Sequence, residues 1–236
     1  MPIEMTTALA HPPPATKADL YALDETAFIE LAIELAGRPV PGVRMTAEEY
    51  LDWAVGQERD AELVEGKVIL MPPSNIDHES LDEWLGRLFG NFVEQRDLGR
   101  VLRNMAVRMK GVATFRVPDV MFIANEHVGR LHRTYIDGPP DLAVEIVSPD
   151  STNRDRREKY LEYEAAGLRE YWILDPAYRS FDLYRLVDGA YELTAADASG
   201  RLASAVLPGV ALSPEELFGH REKVATVLKR FEASAA

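Results

Sequence analysis

The sequence predicts an α/β fold: a central mixed β-sheet flanked by helices, with an additional antiparallel strand pair. Three observations carry this reading. The run Leu142-Ala143-Val144-Glu145-Ile146-Val147 is almost wholly apolar, as a strand covered on both faces would be. A helical stretch from about Asn153 to Ala166 follows and is closed by Gly167, after which Tyr171-Trp172-Ile173-Leu174 resumes as a second buried strand. Strand, helix and strand in that order make a parallel crossover unit. Beyond Asp175-Pro176, residues alternate in Phe181 to Leu186 and again in Tyr191 to Thr194, with Asp188-Gly189 at the turn, the pattern of an antiparallel hairpin.

The remaining elements follow from local signals. The first twenty residues contain His11-Pro12-Pro13-Pro14 and little that packs, so they are expected to be disordered. Phe28, Leu31, Ala32 and Leu35 recur at helical spacing, and Gly37, Pro39 and Pro41 stop that helix. The domain organisation expected is an N-terminal extension over 1–43, a tail plus accessory helix, ahead of a main domain over 44–236. Thr46 with Glu49 has capping-box spacing and opens a short helix through Trp53. Ala61 to Met71 reads as two strands about Glu65-Gly66. Leu81, Leu85, Leu88 and Phe92 mark the buried stripe of a long helix. Two further β-rich segments, Arg100 to Lys110 and Phe115 to Ile123, precede the crossover, and Ser213-Pro214-Glu215-Glu216 caps a C-terminal helix.

Composition narrows the function. A hydrophobic fraction of 47% and a charged fraction of 28% belong to a globular chain. The absence of cysteine excludes a disulfide framework, a thiolate zinc site and a cysteine nucleophile. No run of 18 or more apolar residues occurs and the start lacks a leader pattern, so a cytoplasmic protein with no membrane partner is expected. The 26 Lys+Arg against 39 Asp+Glu leave a net charge of −13, which is unfavourable for binding a polyanion over the whole surface. A nucleic-acid site would therefore rest on local cations. Arg103, Arg108, Lys110 and Arg116 form one cluster, and Arg154, Arg156, Arg157 and Lys159 a second, interleaved with Asp155 and Glu158.

The residues that carry chemistry are two acids and a lysine. Asp119 follows Val117-Pro118 at the head of the apolar run Val120 to Ile123, and Glu145 lies inside another. An unpaired buried carboxylate costs several kcal/mol, so Glu145 must be protonated, ion-paired or metal-bound. Lys159 comes fourteen residues later, on the following helix, and its ammonium can reach back toward the same place. Hydrolysis of a phosphodiester needs a hard divalent ion, and magnesium favours one or two carboxylates with waters left over. The competing readings are a turn aspartate at 119, a Glu145 paired to a nearby arginine, and an ordinary exposed lysine at 159.

Ala61 to Gly66, Pro72-Pro73-Ser74 with His78, Val117-Pro118-Asp119, Asp141 to Pro149, Lys159 to Tyr163, Gly167 and Glu170 to Asp175 together resemble the Uma family of restriction-endonuclease relatives. The resemblance runs from about Arg44 to Leu186. It implies the restriction-endonuclease-like fold of the PD-(D/E)xK superfamily and a magnesium-dependent endonuclease, manganese being an alternative ion, with DNA as the substrate. Carried over by position, Asp119 and Glu145 are the metal ligands and catalytic acids, and Lys159 the catalytic lysine. Val147 stands where the superfamily pattern has its lysine, and in the Uma pattern that lysine has moved to the helix at Lys159. Glu62 resembles an acid that completes the site, and His78 a histidine that contacts phosphate or caps the long helix. Arg116 and Arg157 join His78 as substrate-binding candidates.

Other residues take structural readings. Tyr160, Tyr163, Tyr171 and Trp172 are read as core rather than as base-stacking platforms. His127 and His132 are expected to face solvent, and Ser148 to belong to a helix lead-in. The resemblance also implies a homodimer, for which the Phe28 to Leu35 stripe is the expected interface. The alternative function is a nuclease-like fold that has lost cleavage and serves as a binding or assembly module.

Overall fold

A computed structural model describes residues 14–55, 60–109, 113–148, 154–219 and 221–234. The chain divides into two compact units, Met1–Pro73 and Ser74–Ala236.

In the first unit, α1 (Lys17–Tyr21) and α2 (Glu25–Leu35) precede β1 (Pro39–Arg44), α3 (Ala47–Tyr50) and a π-helical turn, Leu51–Val55, and then β2 (Ala61–Val64) and β3 (Lys67–Leu70). The strands pair antiparallel as β1-β3-β2. Glu65 and Gly66 both take positive φ, 49° and 78°, the conformation a two-residue hairpin turn requires. Part of the segment expected to be disordered is helical: Thr16 and Asp19 form a reciprocal capping box that supplies the first free amides of α1. Residues 1–13, including His11, Pro12 and Pro13, lie outside the described residues. The apolar stripe of α2 is buried at Phe28, Leu31, Ala32 and Leu35, with the Phe28 ring 6.2 Å from that of Trp53. It packs within its own unit and is not free to form the expected dimer interface.

The second unit opens with α4 (Ile76–Gln95), followed by β4 (Gly99–Arg103), β5 (Val107–Arg108), β6 (Phe115–Arg116), β7 (Val120–Ala124), β8 (Ile136–Asp137) and β9 (Leu142–Ile146). A π-helical turn, Arg154–Lys159, leads into α5 (Tyr160–Ala166), then β10 (Glu170–Asp175), β11 (Ser180–Val187) and β12 (Ala190–Leu193). Short strands β13 (Leu202–Ala203) and β14 (Ala211–Leu212) precede α6 (Pro214–Phe218) and α7 (Val224–Ser234). Its main sheet is six-stranded, in the order β12-β11-β10-β9-β7-β4. β9 and β10 are parallel, as the crossover predicts, and every other neighbouring pair is antiparallel.

Three elements differ from expectation. The segment Arg100 to Lys110 breaks at Asn104, whose φ of 49° turns the chain out of the strand; Lys110 itself lies outside the described residues. Phe115 to Ile123 breaks at Val117-Pro118-Asp119, where Pro118 has no amide to give to a ladder. The C-terminal helix is two helices, α6 ending at Phe218 before α7 begins.

Period-two alternation divides the sheet between two cores. Val120, Phe122, Val144, Ile146, Trp172 and Leu174 join Leu85, Phe89 and Phe92 of α4 and Phe231 of α7 on one face. Met121, Ile123, Ala143, Val147, Tyr171 and Ile173 join Tyr163 of α5 on the other. Glu145, between Ala143 and Val147, therefore belongs to the face that α5 covers.

Candidate active site

Sheet register brings Asp119 and Glu145 to neighbouring strands: Val120 pairs with Val144 at the end of the antiparallel β7/β9 ladder, and Asp119 and Glu145 are the residues next to that pair. Asp119 is held from three directions. Its Oδ2 accepts the Ile146 amide at 2.6 Å, its carbonyl accepts the Asn104 amide at 3.2 Å, and His78 Nε2 lies 3.3 Å from its Oδ1. A matching device sits at the other end of the same strand pair, where Asp141 Oδ2 accepts the Ala124 amide at 2.8 Å. Each aspartate precedes one strand and satisfies the amide where its neighbour ends.

Glu145 is 3% exposed and Lys159 2%. Lys159 Nζ donates to Glu145 Oε2 at 2.7 Å, and the Tyr163 hydroxyl donates to Oε1 at 2.8 Å. Both partners come from one helical segment at i, i+4 spacing, which sets two side chains on the same face. Lys159 closes the π-helical turn, a feature found often at functional sites. Among the described residues Glu145 is thus paired with a lysine.

His78 lies in the first turn of α4, which Asn75 rather than His78 caps. Burial pulls its imidazole down, but the hydrogen bond and charge of Asp119, with Asp82 and Glu79, outweigh this and hold it above the usual histidine value. Asp82, one turn on and fully buried, receives Arg103 through both Nε and Nη2, and Asn104 Nδ2 at 3.4 Å.

The other candidates have their own surroundings. Arg116 is fully buried, and its Nε and Nη2 each donate to Glu162 of α5 at 2.7 Å, a two-pronged pair that ties β6 to the site helix. Arg157 is exposed on the turn before Lys159. Glu62 lies on β2 of the first unit, buried; burial and then its charge hold the Tyr50 phenol above its usual value. Four of the expected cations face acids, Arg103 on Asp82, Arg108 on Asp137 at 3.5 Å, Arg116 on Glu162 and Lys159 on Glu145, while Lys110 and the side chains of Arg154 and Arg156 lie outside the described residues.

Sequence reasoning missed three partners. Tyr163, read from the sequence as core, donates to Glu145, and its i, i+4 spacing from Lys159 is the one sequence signal that points further. Glu170 is buried and collects Trp172 Nε1, Ser204 Oγ and the Ala205 amide at 2.6–2.7 Å. His127, expected to face solvent, has Nδ1 2.9 Å from Asp141 Oδ1.

Among the described residues, the grouping of three His, Asp or Glu side chains with ligand atoms within 4.8 Å of one another is Glu126, His127 and Asp141. Arg169 Nη1 already lies 3.1 Å from Asp141 Oδ1 and 3.6 Å from Glu126, so a guanidinium occupies the place a cation would take. The donor set at Asp119 and Glu145 fits magnesium better in kind: both are hard carboxylate oxygens, and Asp119 is 14% exposed and so open to water.

The chain is similar to known proteins in sequence and in fold. A family model described as "Putative restriction endonuclease" (Uma2) matches residues 47–215. Two uncharacterized proteins of Synechocystis sp. are each 25% identical, one over 69% of this chain and 85% of its own length, the other over 64% and 86%. In fold, the chain resembles a crystal structure described as a "putative nuclease belonging to DUF820" from Anabaena variabilis. The TM-score is 0.61 at 20% identity, over 78% of this chain and 99% of that one.

Proposed function

The chain belongs to the Uma2 family, and from that premise we propose that it is a metal-dependent endonuclease that hydrolyses phosphodiester bonds in DNA, leaving a 5′-phosphate. One observation supports the reading: Asp119 Oδ2 accepts the amide of Ile146, the residue after Glu145, while Lys159 Nζ lies on Glu145. Asp119 and Glu145 would hold Mg2+, or Mn2+ in its place, and the ion would neutralise phosphate charge and acidify a water. Lys159 steadies the attacking water or the scissile phosphate. His78, with Nε2 3.3 Å from Asp119 Oδ1, is suited to a phosphate oxygen, and the exposed Arg157 to the backbone beyond. Arg116 takes a supporting role through Glu162, and Glu62 stands as a sequence expectation. The nuclease domain is taken as residues 44–236, and a homodimer would need a face other than the α2 stripe.

Among the described residues no helix is long and apolar enough to cross a membrane. A second reading, a binding or assembly module without cleavage, is favoured by one feature: both Glu145 oxygens already carry protein donors.

The test incubates the full chain with supercoiled plasmid, single-stranded DNA and RNA, with Mg2+, Mn2+ or chelator, beside Glu145→Ala. Metal-dependent DNA cleavage that disappears in the variant is expected. No cleavage of any substrate, with no Mn2+ binding by calorimetry, would transfer the protein to the module reading.

A further inference from the structure

We infer that Tyr163 is the positioning residue that fixes the Glu145 carboxylate for its ligand role. The inference rests on the endonuclease reading and adds a residue that neither the acids nor the lysine of that reading contains.

The two donors on Glu145 differ in kind. Lys159 is a cation on Oε2, and a metal ion would compete with it for the same negative charge. Tyr163 is a neutral donor on Oε1, so it brings no charge that competes with a metal ion. With Tyr163 on the other oxygen, a hydrogen bond on the carboxylate persists when Lys159 turns toward substrate.

Packing makes Tyr163 suited to that task. It is fully buried, and its ring meets Tyr171 edge-on at 5.0 Å and 76°. Tyr171 stands on β10, the strand hydrogen-bonded in parallel to the β9 strand that carries Glu145. The hydroxyl is therefore fixed to the same sheet that fixes the carboxylate. Partners that orient a metal-binding side chain in this way are commonly worth about 10–100-fold in metal affinity.

The experiment measures Mn2+ affinity by calorimetry for the full-length chain and for Tyr163→Phe, Tyr171→Phe and Glu145→Gln, with urea midpoints to establish that each is folded. Tyr163→Phe should weaken Mn2+ binding about tenfold or more, and Tyr171→Phe, which removes a neighbouring hydroxyl, should leave it unchanged. In cleavage, Tyr163→Phe should lower kcat with KM for DNA unchanged, and raised Mn2+ should restore its rate but not that of Glu145→Gln. Equal Mn2+ affinity for Tyr163→Phe alongside an impaired Glu145→Gln would overturn the positioning role alone. An unimpaired Glu145→Gln, or an unmodified chain that binds no Mn2+, would overturn the metal reading and this inference together.

Discussion

Lys159 and Glu145 form an ion pair that water barely reaches, 2.7 Å between Nζ and Oε2, one residue from a central strand and the other from the helix laid over it. Breaking such a pair from one side leaves an uncompensated buried charge, so Lys159→Ala should cost about 3–5 kcal/mol of unfolding free energy. Replacing both ends, as in Glu145→Leu with Lys159→Met, should recover much of that. Urea titration of the three variants checks this, and a single variant as stable as the parent would contradict the pairing.

Glu170 lies within the stretch that resembles the family, yet its contacts are those of an anchor. Its carboxylate takes donors from Trp172, Ser204, Ala205 and Val206, holding the 204–206 segment to the edge of the crossover. Glu170→Ala strands these donors and should destabilise on the order of 3 kcal/mol. Mn2+ affinity of the folded variant should not change; a selective loss of affinity would place Glu170 in the site instead.

Arg157 and Arg116 should separate in a salt titration of DNA binding. Exposed Arg157, if it meets a phosphate, contributes about one unit to the slope of log affinity against log salt, and Arg157→Ala should remove it. Arg116 spends its guanidinium on Glu162, so Arg116→Ala should lower stability and leave the slope as it was. A slope that falls with Arg116 instead would reverse their roles.

Asp141 supplies a prediction at acid pH. Burial pushes its carboxyl up, but the Ala124 amide, His127 and Arg169 outweigh it and hold it below the ordinary value of 3.8. A carboxyl depressed by folding contributes stability in full above its unfolded value and loses it as pH falls through the folded one. Asp141→Asn should thus be less stable than the parent at pH 7, with the difference closing below about pH 3.8. Urea midpoints at pH 7, 4 and 3 measure it; a constant difference would show that the charge of Asp141 is not what stabilises.

Local sequence dictates whatever acts over a few neighbouring residues. Glu65-Gly66 and Asp188-Gly189 turn their hairpins with positive φ at both positions, a conformation that glycine adopts without strain and aspartate tolerates, whereas Glu65 is held in it by the turn. The apolar run around Glu145 made it a buried strand, and a carboxylate in such a run demanded a partner wherever the strand was placed. Lys159 was within reach because a crossover returns its helix over the strand just left. Only the tertiary structure decided which groups meet across long separations. Tyr163 on Glu145, Arg116 on Glu162 and His78 on Asp119 depend on which faces pack together and in what register, and no local period encodes that. The cross-capping of Asp119 on Ile146 and of Asp141 on Ala124 arises for the same reason. A strand end is left with a free amide only once its neighbour is in place, and burial then requires that a carboxylate answer it.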